Sequence, residues 1–463
     1  MQILTGCFVD TEKPELKLEV PDRYRLAHGT SDAAAPELDW WRGFNSPELT
    51  ALIEESQTAN FDIAVAVANI QQADSAVRTA QAALLPTINL GGGVSRSRPS
   101  NGNVPQIASG TAMDRTTFSN QLANTSYMLD FWGQNRANLL QADENSVATR
   151  YQKDVVALTT VTSVANAYFQ VLASQDRIRI ARDNIASASR ILSLIRERSD
   201  VGTASSLEVS QQEALLATQR ASVPPLEITL QQNVNALALL LGRAPEHFSV
   251  RGGSMNTIAV PRVTPGLPSE LLNQRPDVRS AEAGLKSYNY NVESARAAFF
   301  PSITLTNSVG FQSLALIALY GTPAFFYSAA ASVSQPLFDG GTRLGALELA
   351  RGEQLSALQT YRKSVISAFS DVENALVSLQ QQTTRERLQA DAVRSSREAF
   401  NISETRLREG TLDLVTLLNT QQTLFTAQDT LAQVRLAKLQ GIVSLFQALG
   451  GGWPPHVKGD KPT

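Results

Sequence analysis

The chain is 463 residues long and carries 40 Lys and Arg against 43 Asp and Glu, for a formal net charge of −3. The basic residues are scattered among Ser, Gln and Ala, so neither a nucleic-acid footprint nor a polybasic membrane patch is present, and nucleic acid is not an expected partner. A single cysteine excludes an internal disulfide and a thiolate-rich metal centre, and apolar runs such as that opening at Leu237 predict no spanning helix, which needs roughly 18 residues.

In chain order, Leu4 to Cys7 reads LTGC and resembles a bacterial lipobox, in which the cysteine becomes the lipidated first residue of the mature protein. Residues 1–6 are too few for a signal peptide and are expected to be the remnant of one; the other reading is a stray cysteine near a frayed terminus. Residues 7–45 form an expected N-terminal extension.

The segment from Asn60 to Leu90 overlays that from Arg275 to Leu305 without a gap, placing Asp62 on Asp277, Val77 on Val292 and Pro86 on Pro301. This is an internal duplication, with repeats expected at 46–241 and 269–449, a linker at 242–268 and a tail at 450–463. Each copy opens as a helix rich in Ala, Gln, Glu and Arg and meets a proline, which lacks an amide proton and is tolerated as the first residue of a strand. After Pro86 and Pro301 the apolar period falls to two, as in Ile303, Leu305, Val309 and Phe311 against Ser302, Thr304, Thr306 and Ser308.

Strands are expected at about 86–97, 117–131, 301–312 and 325–337, the second alternating most weakly. Strands of about ten residues, apolar on one face and polar on the other, fit a membrane β-barrel with a wet lumen. The alternative is a sheet on a soluble core. Four strands cannot close a membrane barrel, which starts at about eight, so several chains must share one. The connections within the two strand pairs, one polar and one apolar, read as loops of one rim.

A proline-free stretch then runs from Gly133 to Ser199, long enough for a helix on the order of 100 Å. It ends at a turn near 200–204, and its counterpart ends at 409–413, each a Gly-Thr turn with Ser205 or Asp413 as a cap for the next helix. Helix is expected to return through Leu207 to Leu241 and Leu414 to Leu449. Ile178, Ile185, Leu192 and Ile195 are spaced for lateral helix packing. The predicted fold class is a mixed α and β membrane protein, internally duplicated, with long helices and a shared transmembrane β-barrel, four strands per chain.

Three segments in order, DWWRGFNSPELTALIEESQTANFDIAVA near the start, Leu267 to Phe311, and Leu424 to Trp453, resemble outer-membrane efflux lipoproteins of the NodT type within the TolC superfamily. The resemblance implies a homotrimer in the outer membrane of a Gram-negative bacterium, lipidated at Cys7, with a periplasmic helical tunnel. It implies an exit duct that meets a periplasmic adaptor and an inner-membrane transporter of the resistance-nodulation-division class. Pro86 and Pro301 would mark the membrane surface. Val201, Gly202, Thr203, Gly410 and Thr411 resemble the tip turns where the adaptor docks. The periplasmic gate falls on Val415, Asn419 and Gln422, where relatives often carry an Asp with an Arg three residues later. Asp413 is a nearby acidic candidate that also reads as a helix cap.

No cofactor beyond the covalent lipid and no metal is expected. His28, His247 and His456 lie far apart, with no HExxH and no G-x-G-x-x-G after a strand, so catalysis is not expected. The competing reading is a lipid-anchored structural or adhesive coiled-coil protein without transport, which has no need of membrane strands. Thr87, Asn89, Thr304 and Thr306 would face the lumen and suggest broad solute tolerance.

Overall fold

The structure is a computed structural model that describes residues 21, 23–25, 39–98, 115–261 and 268–451. Cys7, most of the N-terminal extension, residues 99–114 and 262–267, and the tail beyond 451 lie outside the described residues. The described residues fall into two compact units, one within 70–149 and 281–361, the other within 21–69, 150–280 and 362–451.

The first unit carries one four-stranded antiparallel sheet in the order β1 (Thr87–Ser97), β2 (Arg115–Leu129), β3 (Ser302–Ser313) and β4 (Phe325–Ser334). β2, the strand whose alternation is weakest in sequence, is the longest; its register shifts against β1 between Asn89 and Gly91 and against β3 between Gln121 and Ala123, and these bulges break the period of two. Helices α2 (Phe61–Ala82) and α7 (Pro276–Ala297) lead into β1 and β3. Each stops four residues before its proline and loosens into turns with i→i−3 bonds, as from Leu85 to Ala82 and from Phe300 to Ala297. That is where a proline withdraws the α conformation from the residue before it.

Helices α3 (Gln134–Asp200) and α8 (Thr342–Arg408), 67 residues each, leave β2 and β4. Asp130 caps α3 by accepting from the amides of Asn135 and Arg136 at 2.9 and 3.0 Å, and Asp339 accepts from Gly341 and Arg343 ahead of α8. Within this unit the helices touch in sequence order: Ser146 on Asp74, Ser287 on the Gln141 carbonyl, Asn291 on Glu353.

The second unit holds the main core. Trp40, Trp41 and Phe44 of a 3-10 turn pack with Leu49 and Ile53 of α1 (Pro47–Ala59), the α3 stretch around Val164 to Ala173, and Ile442 and Phe446 of α9 (Leu414–Ala448). Trp40 stacks on Phe446 at 4.6 Å. α3 does contain an 18-residue stretch long and apolar enough to cross a bilayer, contrary to the absence expected from run length. More than half of it is buried inside the protein, as the core stretch of a long helix is.

One expected element is corrected. The returning helix is broken into α4 (Ser206–Ala221) and α5 (Val223–Leu240) at Ser222, because Pro224 and Pro225 have no amide to continue the ladder. The stripe of Ile185, Leu192 and Ile195 serves three neighbours: Ile185 and Leu192 meet Leu216 of α4, whereas Ile195 joins Phe400 and Leu407 of α8 and Leu417 of α9.

Between α6 (Pro268–Gln274) and α7, the buried Arg275 forks onto Asp277, reaches Asp371 at 2.9 Å and donates to the Ala448 carbonyl. Burial alone would pull its pKa down, but Asp277 and Asp371 outweigh that and hold it above its usual value.

Candidate functional site

α3 and α8 end in the same way. Gly202 (φ +75°) and Gly410 (φ +71°) stand just past the helix ends, and the amides of Thr203 and Thr411 reach back five residues to the carbonyls of Arg198 and Arg406 at 2.7 and 2.9 Å. The glycine amides bond three residues back, which completes a Schellman closure in both copies. Nothing lies within 4 Å of where a Cβ would stand on either glycine, so positive φ, not crowding, is what selects glycine here.

Both following helices are capped. Ser205 and Glu208 form a reciprocal capping box, and Asp413 accepts from the Thr416 amide at 2.9 Å and from its hydroxyl at 2.7 Å. These bonds, the backbone one first, hold the Asp413 carboxyl below its usual range. The two turns are tied together by Arg198, whose guanidinium donates to the Leu407 carbonyl at 2.9 Å. Val201 is 73% exposed at the first turn.

α9 divides cleanly. Leu414, Leu417, Leu424 and Phe425 are buried against α3 and α8, while Val415, Asn419 and Gln422, spaced four and three apart, are exposed on another face. Gln422 also lines a cavity of about 220 Å³ bounded by Arg177, Ser222, Phe425 and Asp429. There Arg177 grips Asp429 with two bonds of 2.6 and 3.1 Å, joining α3 to α9. Sequence reasoning missed this pair and the Arg198 tie, since nothing local marks partners 252 and 209 residues apart.

At the helix-to-strand junctions, the Trp132 indole donates to the Pro301 carbonyl at 2.8 Å and stacks on Phe300 at 4.6 Å. Asn135 donates to the Ala83 carbonyl just ahead of Pro86. The sheet register puts Ile88, Tyr127, Leu305, Ala331 and Val333 on one face, and Thr87, Asn89, Ser126, Thr304 and Thr306 on the other. Among the described residues no group of three His, Cys, Asp or Glu side chains is gathered as a metal site.

The family model described as "Outer membrane efflux protein" matches residues 52–243 and 267–451, blocks that each hold one strand pair and one tip turn. The chain belongs to the outer membrane efflux protein family. It is similar to the pyoverdine export outer membrane protein OpmQ of Pseudomonas putida, 36% identical over 462 residues that cover 99% of this chain and 97% of the relative. It is 31% identical over 460 residues to the toluene efflux pump outer membrane protein TtgC of Pseudomonas putida, covering 97% and 94%.

Of solved structures, the outer-membrane channel OprN superposes with a TM-score of 0.87 at 27% identity, covering 96% of this chain and 99% of that one. The Neisseria gonorrhoeae MtrE channel in its open state gives 0.85 at 27% identity, covering 96% and 98%. This efflux protein therefore has the fold of the trimeric outer-membrane channels, a long helical barrel plus a transmembrane β-barrel to which each chain gives four strands. Membership makes it an outer-membrane exit duct for efflux rather than a structural or adhesive coiled-coil protein without transport. The family is one of outer-membrane efflux channels and not of known enzymes.

Proposed function

We propose that three copies of this chain form the exit duct of a tripartite pump, closed at rest by the exposed face of α9 and opened when a periplasmic adaptor engages the tip turns. The observation that carries this is the pairing of an exposed Val415, Asn419 and Gln422 face with adjacent Schellman turns whose glycines leave open space. Val201 to Thr203 and Gly410 to Thr411 would seat the adaptor, and the inner-membrane partner would be a transporter of the resistance-nodulation-division class.

Around the three-fold axis, Asn419 and Gln422 would make hydrogen bonds rather than an ionic latch, and Val415 an apolar ring. Asp413 is committed to its cap and adds a fixed negative charge near the constriction. Pro86 and Pro301 would lie at the membrane surface, where Trp132 and Phe300 suit an aromatic interfacial belt. Residues 46–241 and 269–449 would be the two repeats, with 7–45, 242–268 and 450–463 around their equator, and a lipid on Cys7 anchoring the chain in the outer membrane. Relatives named for pyoverdine and toluene support small organic cargo, admitted broadly by a lumen of Thr87, Asn89, Thr304 and Thr306.

The test is single-channel conductance of the purified trimer in planar bilayers, with Asn419→Ala and Gln422→Ala beside the wild type. A small conductance that rises in the variants supports a closed duct gated at α9. Channels that are open in the wild type and unchanged in both variants refute that gate.

A further inference from the structure

The connection between β3 and β4 is unlike a solvated surface loop. No Asp, Glu, Lys, Arg or His occurs from Ala297 to Phe338, and the loop itself reads LALIALYGTPA. The β1–β2 connection at the same end of the sheet is flanked by Arg96, Arg98 and Arg115. Ile317 is 98% exposed at the loop's crest, with Leu316 at 64% and Tyr320 at 67%.

The loop is also built to hold this shape. Two 3-10 turns, Leu316–Ala318 and Thr322–Ala324, bond the amides of Ala318, Leu319, Gly321 and Ala324 to carbonyls inside the loop. The Ala315 amide is taken by the Ser313 hydroxyl. Amides satisfied internally are what backbone needs before it can leave water.

Its orientation follows from the sheet. Tyr320 packs edge-on against Phe311 at 5.6 Å and accepts a 2.8 Å hydrogen bond from Asn120. Phe311 pairs with Phe325, which lies on the same face as Tyr327 and Val333. That is the apolar, bilayer-covered face of the barrel, not the lumen.

We propose that the β3–β4 loop is a lipid-docking element that seats Leu316, Ile317 and Tyr320 in the acyl-chain boundary of the leaflet at that end of the barrel. The occupant is lipid and not a second copy, because a barrel shared between chains has to close at the β1 and β4 edges, each with one side unpaired within the sheet, whereas the loop folds onto the face. The patch continues the bilayer-covered surface without a charged break. This inference rests on the barrel reading of the sheet, and its test separates the two.

In a Cys7→Ala background, Ile317→Cys, Tyr327→Cys and Val201→Cys are each labelled with an environment-sensitive fluorophore, checked as trimers, and reconstituted in phosphatidylcholine vesicles with and without doxyl-chain phosphatidylcholine. The expected result is that labels at 317 and 327 are quenched several-fold more by the doxyl lipid than the label at 201, and less by aqueous iodide. Quenching at 317 by iodide alone, or by neither agent, places the loop in water or under protein and overturns the proposal while the label at 327 still reports lipid. Loss of lipid quenching at 327 as well refutes the barrel face itself.

Discussion

Gln421 is fully buried on the core face of α9, and neither its amide nitrogen nor its oxygen has a hydrogen-bond partner among the described residues. An unsatisfied buried amide costs on the order of 1–3 kcal/mol, so Gln421→Leu should stabilise the tip packing and raise the midpoint of thermal unfolding in detergent. An unchanged or lower midpoint refutes this account. Tyr24 is buried with its hydroxyl unpaired, and burial first, then the Glu373 carboxylate, push its pKa up to about 12. The unfolded chain ionises this tyrosine near 10, so the native state binds more protons between those values. Stability from this group is present below pH 10 and declines as pH rises towards 12, a loss that Tyr24→Phe should remove in alkaline denaturation curves. Asp413 works in the opposite sense. With its pKa lowered in the fold, its contribution is present above the ordinary carboxylate range and is lost as pH falls through the native value. Conductance should thus be flat around neutrality, and a wild-type response centred near pH 7 would contradict the absence of an ionic latch.

At the level of elements, the tip turns were legible because a Schellman closure has a local signature, Gly then Thr after a long helix, repeated at the same offset in both copies. Gly202→Ala and Gly410→Ala force an L residue to positive φ with no steric clash, so each should cost about 1 kcal/mol, measurable by chemical unfolding. A cost near zero would mean that the turn simply rearranges. Helix length was legible from the absence of proline, and the strands from the switch to a period of two. The break at Ser222 was equally available in the sequence as Pro224 and Pro225, yet the apolar spacing on either side suggested continuity. Breaker chemistry overrides periodicity, since a missing amide removes a bond whatever the side chains prefer.

For the whole molecule, edges decide assembly. β1 and β4 each have one paired side within the chain, and unpaired backbone groups are not sustained in hydrocarbon. The 50.0 kDa chain should therefore run in detergent at about three times that mass by light scattering, following the trimeric channel fold. A stable monomer with an intact sheet would refute a shared barrel.

Whatever depends on neighbours along the chain is written in the residues: the duplication, the order of helices and strands, the proline switches, the glycine turns and the alternation that separates a wet face from an apolar one. Only tertiary structure decided which side chains meet across hundreds of positions. Examples are Arg177 with Asp429, Arg198 with the Leu407 carbonyl, Arg275 with Asp371, and the loop's Tyr320 with Phe311 and Asn120. The reason is physical. Local conformation is set by backbone sterics and period, which a few residues encode, whereas pairing across helices depends on rotation and register summed over 67-residue elements, which no short window contains.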